Sequence, residues 1–282
     1  MKKVMLVVLL AMAAMGAQAA TKPAIESSAV VNGTIVLAKD GTVQTAVIDD
    51  PAKYSQPIAD MVRNAALQWH FQPVLQDGQP TVAKASMHAR VVLTQKSDGN
   101  YSARIKGVTF GDNDPNDTST VRSAPLNEKL FLPKYPKAAV SARVKGTVYL
   151  ALRVDRNGHV TDIVAEQVNL GVTGPDDILN RYREMLAKAA LQAVSQWTYE
   201  PPTTGKLAMQ DSWTVYVPIT YDLQPLNAPK SNTVWQTYVP GPYTPASWID
   251  KPDADTVDAL ADDAVRTDGA GPTLIPAAYG HG

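Results

Sequence analysis

Two stretches of this chain carry the same word. ALQWHFQP, residues 66–73, has Trp69, an aromatic two residues on at Phe71, and Pro73 two further. VSQWTYEPP, residues 194–202, repeats it with Trp197, Tyr199 and Pro201. Each follows an alanine-rich stretch that reads as helix. A Trp that closes a helix over a sheet takes roughly 150–250 Å² out of water. Truncating it costs about 3–5 kcal/mol. The Pro keeps the helix from running on. A word with that structural weight, written twice, constrains the chain to two copies of one folding unit.

The flanking sequence repeats as well, and the second copy is the clearer. TVYLALRV, residues 147–154, alternates, with Val148, Leu150, Leu152 and Val154 on one side. That is the period of a half-buried strand. RNGH follows, and Asn157-Gly158 predicts a two-residue hairpin turn with both residues at positive φ. VTDIVAEQV, residues 160–168, returns as the second strand. A helix is expected over 177–196, with Ile178, Tyr182, Met185, Ala189 and Trp197 as its apolar stripe. Asp176 and Asp177 suit its N-terminus as cap residues. SWTVYVPITYDL, residues 212–223, is the third strand, and Trp213, Val215, Val217, Ile219 and Tyr221 share a face. Pro218 cannot donate to a ladder, so this strand is expected at a sheet edge or at a bulge.

The first copy keeps the order. GTIVLAK (33–39), the turn Asp40-Gly41 and TVQTAVI (42–48) make a hairpin. A helix over 56–68 carries Ile58, Met61, Val62, Ala65 and Trp69 on one face. DGQP (77–80) turns, and MHARVVL (87–93) is the third strand. SDGN (97–100) then separates it from a further strand at 101–110. The fold class expected is α+β: two tandem small domains, each a mainly antiparallel three-stranded sheet with a helix packed on one face. The boundaries are 21–110 and 133–223. GDNDPNDTST opens a polar linker over 111–132.

Both ends of the chain differ in character from these units. Residues 1–20 place Lys2 and Lys3 before an apolar run that ends in AQAA, the pattern of a secretory signal peptide cleaved after Ala19 or Ala20. The run is shorter than the roughly 20 residues of a spanning helix. An uncleaved anchor is the other reading of it. Residues 224–282 are rich in Pro, Asp, Ala and Gly without a sustained period and are expected to be mostly disordered. Within them WQTYVPGPYTPASWI (235–249) interleaves aromatics and prolines. It reads either as a recognition segment for a partner or as an arm that docks on the chain's own domains.

Charge and cysteine usage narrow the function. The net charge is −1, with no basic cluster, so nucleic acid is not an expected partner. There is no Cys, hence no disulfide and no thiol chemistry. The four His (His70, His88, His159, His281) show no metal-ligand spacing. No nucleophile elbow, phosphate-binding loop or dinucleotide fingerprint occurs. The chain is expected to be no enzyme, with no catalytic residue, no cofactor and no metal.

The second copy resembles the C-terminal domain of the TonB energy transducers. The likeness rests on PKYPKAAVSARVKGTVYLALRVDRNGHVTDIVAEQV (133–168), ALQAVSQWTYEPP (190–202) and WTVYVPITYDL (213–223). Tyr135-Pro136, Gly146, Asn157-Gly158, Trp197, Tyr199 and Pro201 stand in family order. The first copy is similar more distantly: it keeps KDGTV (39–43) and WHFQP (69–73) but lacks the Tyr-Pro lead-in. The resemblance implies a periplasmic chain that binds a protein or peptide by adding its strand to the open edge Trp213, Thr214, Val215, Tyr216, Val217, Ile219, Tyr221. An outer-membrane transporter is the partner class it implies, in TonB-type transport. The chain departs from the family in its cleavable N-terminal segment and in lacking a long Pro-rich spacer. Energy transduction is therefore not expected, and no stable membrane anchor remains after cleavage. A self-associating scaffold, with the two modules paired within or between chains as in a homodimer, is the alternative.

Overall fold

The computed structural model describes residues 25–95, 99–111, 116–124, 132–223, 234–260 and 265–275. Residues 1–20, expected to be a signal segment, and His281 lie outside them. The elements are β1 (Glu26–Leu37), β2 (Val43–Ile48), α1 (Gln56–Ala66), β3 (Leu75–Gln76), β4 (Gln79–Pro80), β5 (Ala83–Gln95), β6 (Tyr101–Phe110), β7 (Arg122–Ser123), α2 (Lys137–Ser141), β8 (Gly146–Asp155), β9 (Val160–Leu170), α3 (Asp176–Val194), β10 (Tyr199–Glu200), β11 (Ser212–Tyr221), β12 (Gln236–Tyr238) and β13 (Arg266–Thr267). The architecture is α+β, with antiparallel pairing and helices laid on the sheets.

The first sheet runs β12-β1-β5-β6, with β2 also on β1. The second runs β13-β11-β8-β9. Neither is the three-stranded sheet expected. β6 extends the first, and tail strands add to both. β1 begins at Glu26, seven residues before the expected start, because ESSAVVN continues the alternation. Ala29, Val31, Ile35 and Leu37 are all buried on its core face. β5 is buried on both faces, with Met87, Ala89 and Val91 on one and Arg90 and Val92 on the other. This second buried face is the first sign that something covers the side away from the helix.

The helices sit where periodicity put them, but their buried stripes are turned. In α3 the fully buried residues are Leu179, Leu186, Ala190 and Val194. The expected Ile178, Tyr182, Met185 and Ala189 flank that stripe and are half-buried. α1 likewise buries Ala59, Val62 and Ala66. Each contact line lies one residue on from the expected one, a turn of roughly 100° about the helix axis, and the alanines on it let the axis come close to the sheet. The residue capping α3 is Pro175; Asp176 and Asp177 occupy its first turn.

The two tight hairpins also differ from expectation. In each, only the glycine has positive φ, Gly41 at 87° and Gly158 at 80°. The glycine N–H donates three residues back, Gly41 to Ala38 at 3.0 Å and Gly158 to Asp155 at 2.9 Å. This is a three-residue loop with a glycine bulge, and Asp40 and Asn157 keep ordinary backbone angles. In the second hairpin the Asp155 carboxylate accepts the N–H groups of Asn157 and His159 at 2.9 and 2.8 Å, which lowers its pKa.

Most of the described tail is ordered against the two units. Tyr238, Val239, Ala246, Val257, Ala259, Leu260 and Thr267 are buried. The expectation of a disordered 224–282 fails for residues 234–260 and 265–275. Of the two readings of 235–249, the docking arm is the one the structure shows.

Candidate functional site: strand edges and their occupants

The repeated Trp word has a structural counterpart in both units. Trp69 and Trp197 are buried at the ends of their helices. Two residues on, the Phe71 N–H donates to the Gly41 carbonyl, and the Tyr199 N–H to the Gly158 carbonyl, both at 2.8 Å. A Cβ on either glycine would lie 1.9 Å from the carbonyl oxygen of Phe71 or Tyr199. The aromatic word and the turn glycine are thus one motif split across the sequence.

The chain leaving each Trp recruits a short strand, and the two strands come from opposite halves. In unit two, Tyr199 pairs with Ser123 and Glu200 with Arg122, and the Ala124 N–H donates to Thr198 O at 3.1 Å. In unit one, Phe71 bridges Leu274, the Gln72 N–H donates to Thr273 O at 2.9 Å, and the Ile275 N–H to His70 O at 2.9 Å. The segment expected to be a linker therefore docks on unit two through its residues 122–124, and the tail docks on unit one. No side-chain period marks either segment, because backbone groups carry the pairing.

The predicted partner edge is β11. Trp213, Val215, Val217, Ile219 and Tyr221 are buried in the unit-two core. Trp213 Nε1 donates to Leu207 O at 2.9 Å. Thr214 and Tyr216, expected to face away from that core, are half-buried beneath the tail. The outer edge is not bare. Val215 pairs with Thr267 and Tyr216 with Arg266, and the Asp268 N–H donates to Thr214 O at 2.8 Å. That bond means 214, 216, 218 and 220 turn their backbone polar groups outward, so the missing donor of Pro218 lies on the edge side, where a Pro is tolerated. Among the described residues, pairing on this side stops at Tyr216.

Tail residues also line the opposite edge. Val239 and Leu170 exchange hydrogen bonds of 2.8 and 3.1 Å, and the Thr244 N–H donates to Glu166 O at 2.8 Å. The neighbouring β12 pairs Glu26 with Tyr238 and Ser28 with Gln236. The tail strand thus runs between the first strand of unit one and the second strand of unit two. It seals a buried polar cluster. Asp258 is fully buried and accepts from Lys106 Nζ at 3.0 Å and from Asn169 Nδ2 at 3.2 Å. The Tyr238 hydroxyl lies 3.0 Å from Asp258 Oδ2 and 2.9 Å from Glu26 Oε2. Arg90 donates to Ser28 Oγ at 2.8 Å. Burial, then the Asp258 charge, pushes the Tyr238 hydroxyl well above its ordinary pKa. Beside this cluster a cleft of about 490 Å³ has Arg90, Thr147, Thr220 and Trp235 among its lining residues.

The other positions that carry the resemblance hold the scaffold together. The Tyr135 hydroxyl donates to Val144 O, and its ring lies 5.2 Å from that of Tyr221. Pro136 caps α2. A Cβ on Gly146 would meet Asn169 O at 2.4 Å. Pro201 follows β10 directly and is half-buried. The described histidines are spread out: His70 Nδ1 lies 3.2 Å from Gln68 O, His88 Nδ1 2.8 Å from Asn32 Oδ1, and His159 is in the hairpin. Among the described residues no cluster of three or more His, Asp or Glu is placed to hold a metal, and no helix is long and apolar enough to cross a membrane. Comparison with protein-family models, curated proteins and solved structures found no match to this chain.

Proposed function

We propose that this chain is a non-catalytic periplasmic binding module that takes up an extended protein segment by strand addition at the outer edge of β11. The observation that carries the reading is the antiparallel seat of Arg266 and Thr267 on Tyr216 and Val215. A short piece of tail already uses this edge as an acceptor. Unit one supports it: there β6 lies along the corresponding third strand β5 from Met87 to Gln95. The scaffold thus accommodates a full fourth strand at that position. The resemblance to TonB C-terminal domains points to a partner at the outer membrane. A photoreactive residue at Thr220, exposed on the outward side of β11, tests the proposal in intact cells. Crosslinks mapping to an extended segment of an outer-membrane protein support it. Crosslinks confined to this chain's own tail, or to a second copy, turn the reading to a self-associating scaffold. That second reading draws on the arms at 122–124 and 273–275, by which each unit already holds the other half of the chain.

A further inference from the structure

The segment seated on β11 brings one cation to the sheet, and the face beneath it is suited to a cation. The Arg266 guanidinium lies 4.2 Å from the centre of the Tyr216 ring. Such a contact strengthens as water is excluded. On the same face, close enough to act on the Tyr216 hydroxyl, lie Glu166 and Tyr243. Glu166 is only 2% exposed. Its carboxylate accepts the Ala246 N–H at 3.1 Å and a hydrogen bond from Tyr243. Burial raises its pKa; the Ala246 N–H, the Arg266 charge and the Tyr243 bond pull it back.

The neighbouring positions of the segment are small or polar. Thr267 is buried opposite Val215, and its Oγ1 accepts the Val121 N–H at 3.0 Å. Arg266 Nε has no hydrogen-bond partner among the described residues. The guanidinium is held by stacking and charge, so another cation could take its place without breaking a bond at that atom. We infer, on the reading that β11 accepts a partner strand, that this strand is basic: it runs antiparallel to β11, sets an Arg or Lys over Tyr216, and follows it opposite Val215 with Thr or Ser, whose hydroxyl can accept the Val121 N–H. The tail's own Arg266-Thr267 is this ligand held in cis. An acidic or wholly apolar strand would leave the Tyr216 ring without its cation and is selected against.

The test uses the full chain carrying Arg266→Ala, which weakens the resident segment, and labelled peptides followed by fluorescence anisotropy. The probes are AVRTDGA, residues 264–270, and the same peptide with Ala or Glu in place of its Arg. The Arg peptide is expected to bind at least about tenfold tighter than the Ala peptide, with the Glu peptide weakest. Glu166→Gln in the same chain should shrink the preference to under about threefold. Equal binding of the Arg and Ala peptides overturns the charge selection and leaves strand addition standing. Binding by none of the three overturns both. If Arg266→Ala does not fold, the wild-type chain serves. Excess Arg peptide must then speed amide exchange at Asp268, whose N–H donates to Thr214; the Ala peptide must not, and equal acceleration or none counts against the inference.

Discussion

Unit one and unit two share a plan and differ in how they finish the third strand. β5 turns at once into β6, and the two pair from Met87 to Gln95. Phe110 at the end of β6 packs edge-on against Trp69 and Phe71, with centroids 5.6 and 4.9 Å away. The edge, the Trp and the fourth strand form one local assembly, closed by a short loop at small entropic cost. β11 has no such neighbour in sequence. Its edge receives Arg266 and Thr267 from beyond Leu260, after the tail has crossed the other face of the sheet, where Val257 and Leu260 pack on Tyr149. An unpaired edge invites other strands. Unit one pairs this edge from Met87 to Gln95; unit two covers two positions, Val215 and Tyr216, among the described residues. The two units keep one plan and part at this edge, which a neighbouring strand fills in one and two tail residues cover in the other.

That comparison can be broken first at its shared centre. Trp69→Ala and Trp197→Ala are each expected to lose about 3–5 kcal/mol in urea unfolding. Similar losses fit two equivalent copies; a loss under about 1 kcal/mol in either would show that the repeated word has different work in the two units. Next is the cluster that fastens the tail to both units. Asp258→Ala leaves Lys106 buried without its nearest partner, and about 3 kcal/mol should be lost. Amide exchange should quicken at Val239 and Asp268 while β6 stays protected. Uniform quickening across both sheets would mean that the tail is no separate element.

Smaller effects sharpen the likeness of the hairpins. Gly41→Ala and Gly158→Ala each force a side chain into positive φ and against a carbonyl oxygen. Each should cost about 1–3 kcal/mol, measured by thermal unfolding, and the two values should agree. The smallest expected effect is a pH slope that unit two has and unit one lacks. The Glu166 pKa is raised in the folded chain, chiefly by burial. The folded state then keeps a proton that the unfolded chain has released, so stability falls as pH rises from the ordinary carboxylate range through the raised value. Below that range both states are protonated and the slope vanishes. Glu166→Gln should flatten the stability profile in this window; an unchanged profile would remove Glu166 from the account.

Much of the scaffold was legible because its signals are local. Alternation located β8, β9 and β11 within a residue or two, and the Pro218 edge position followed from one missing donor. The turn of the helix stripes by about one residue was less legible, since periodicity fixes the repeat of an apolar face more firmly than its phase. The candidate edge could be named from Trp213 to Tyr221, but its occupant could not. Arg266-Thr267 and the pairs at 122–124 and 273–275 are held by backbone hydrogen bonds, which any residue but Pro can make.

By itself the sequence determined two β-hairpins with helices, each closed by a Trp. Apolar period and turn chemistry act over a few residues and are written in side chains. Only the tertiary structure decided that the polar tail threads between the units, buries Asp258 against Lys106 and lays Arg266 over Tyr216. Those contacts join residues from 50 (Tyr216 to Arg266) to 152 (Lys106 to Asp258) positions apart through backbone edges and single charges, whose strength comes from burial that exists only once both units have folded.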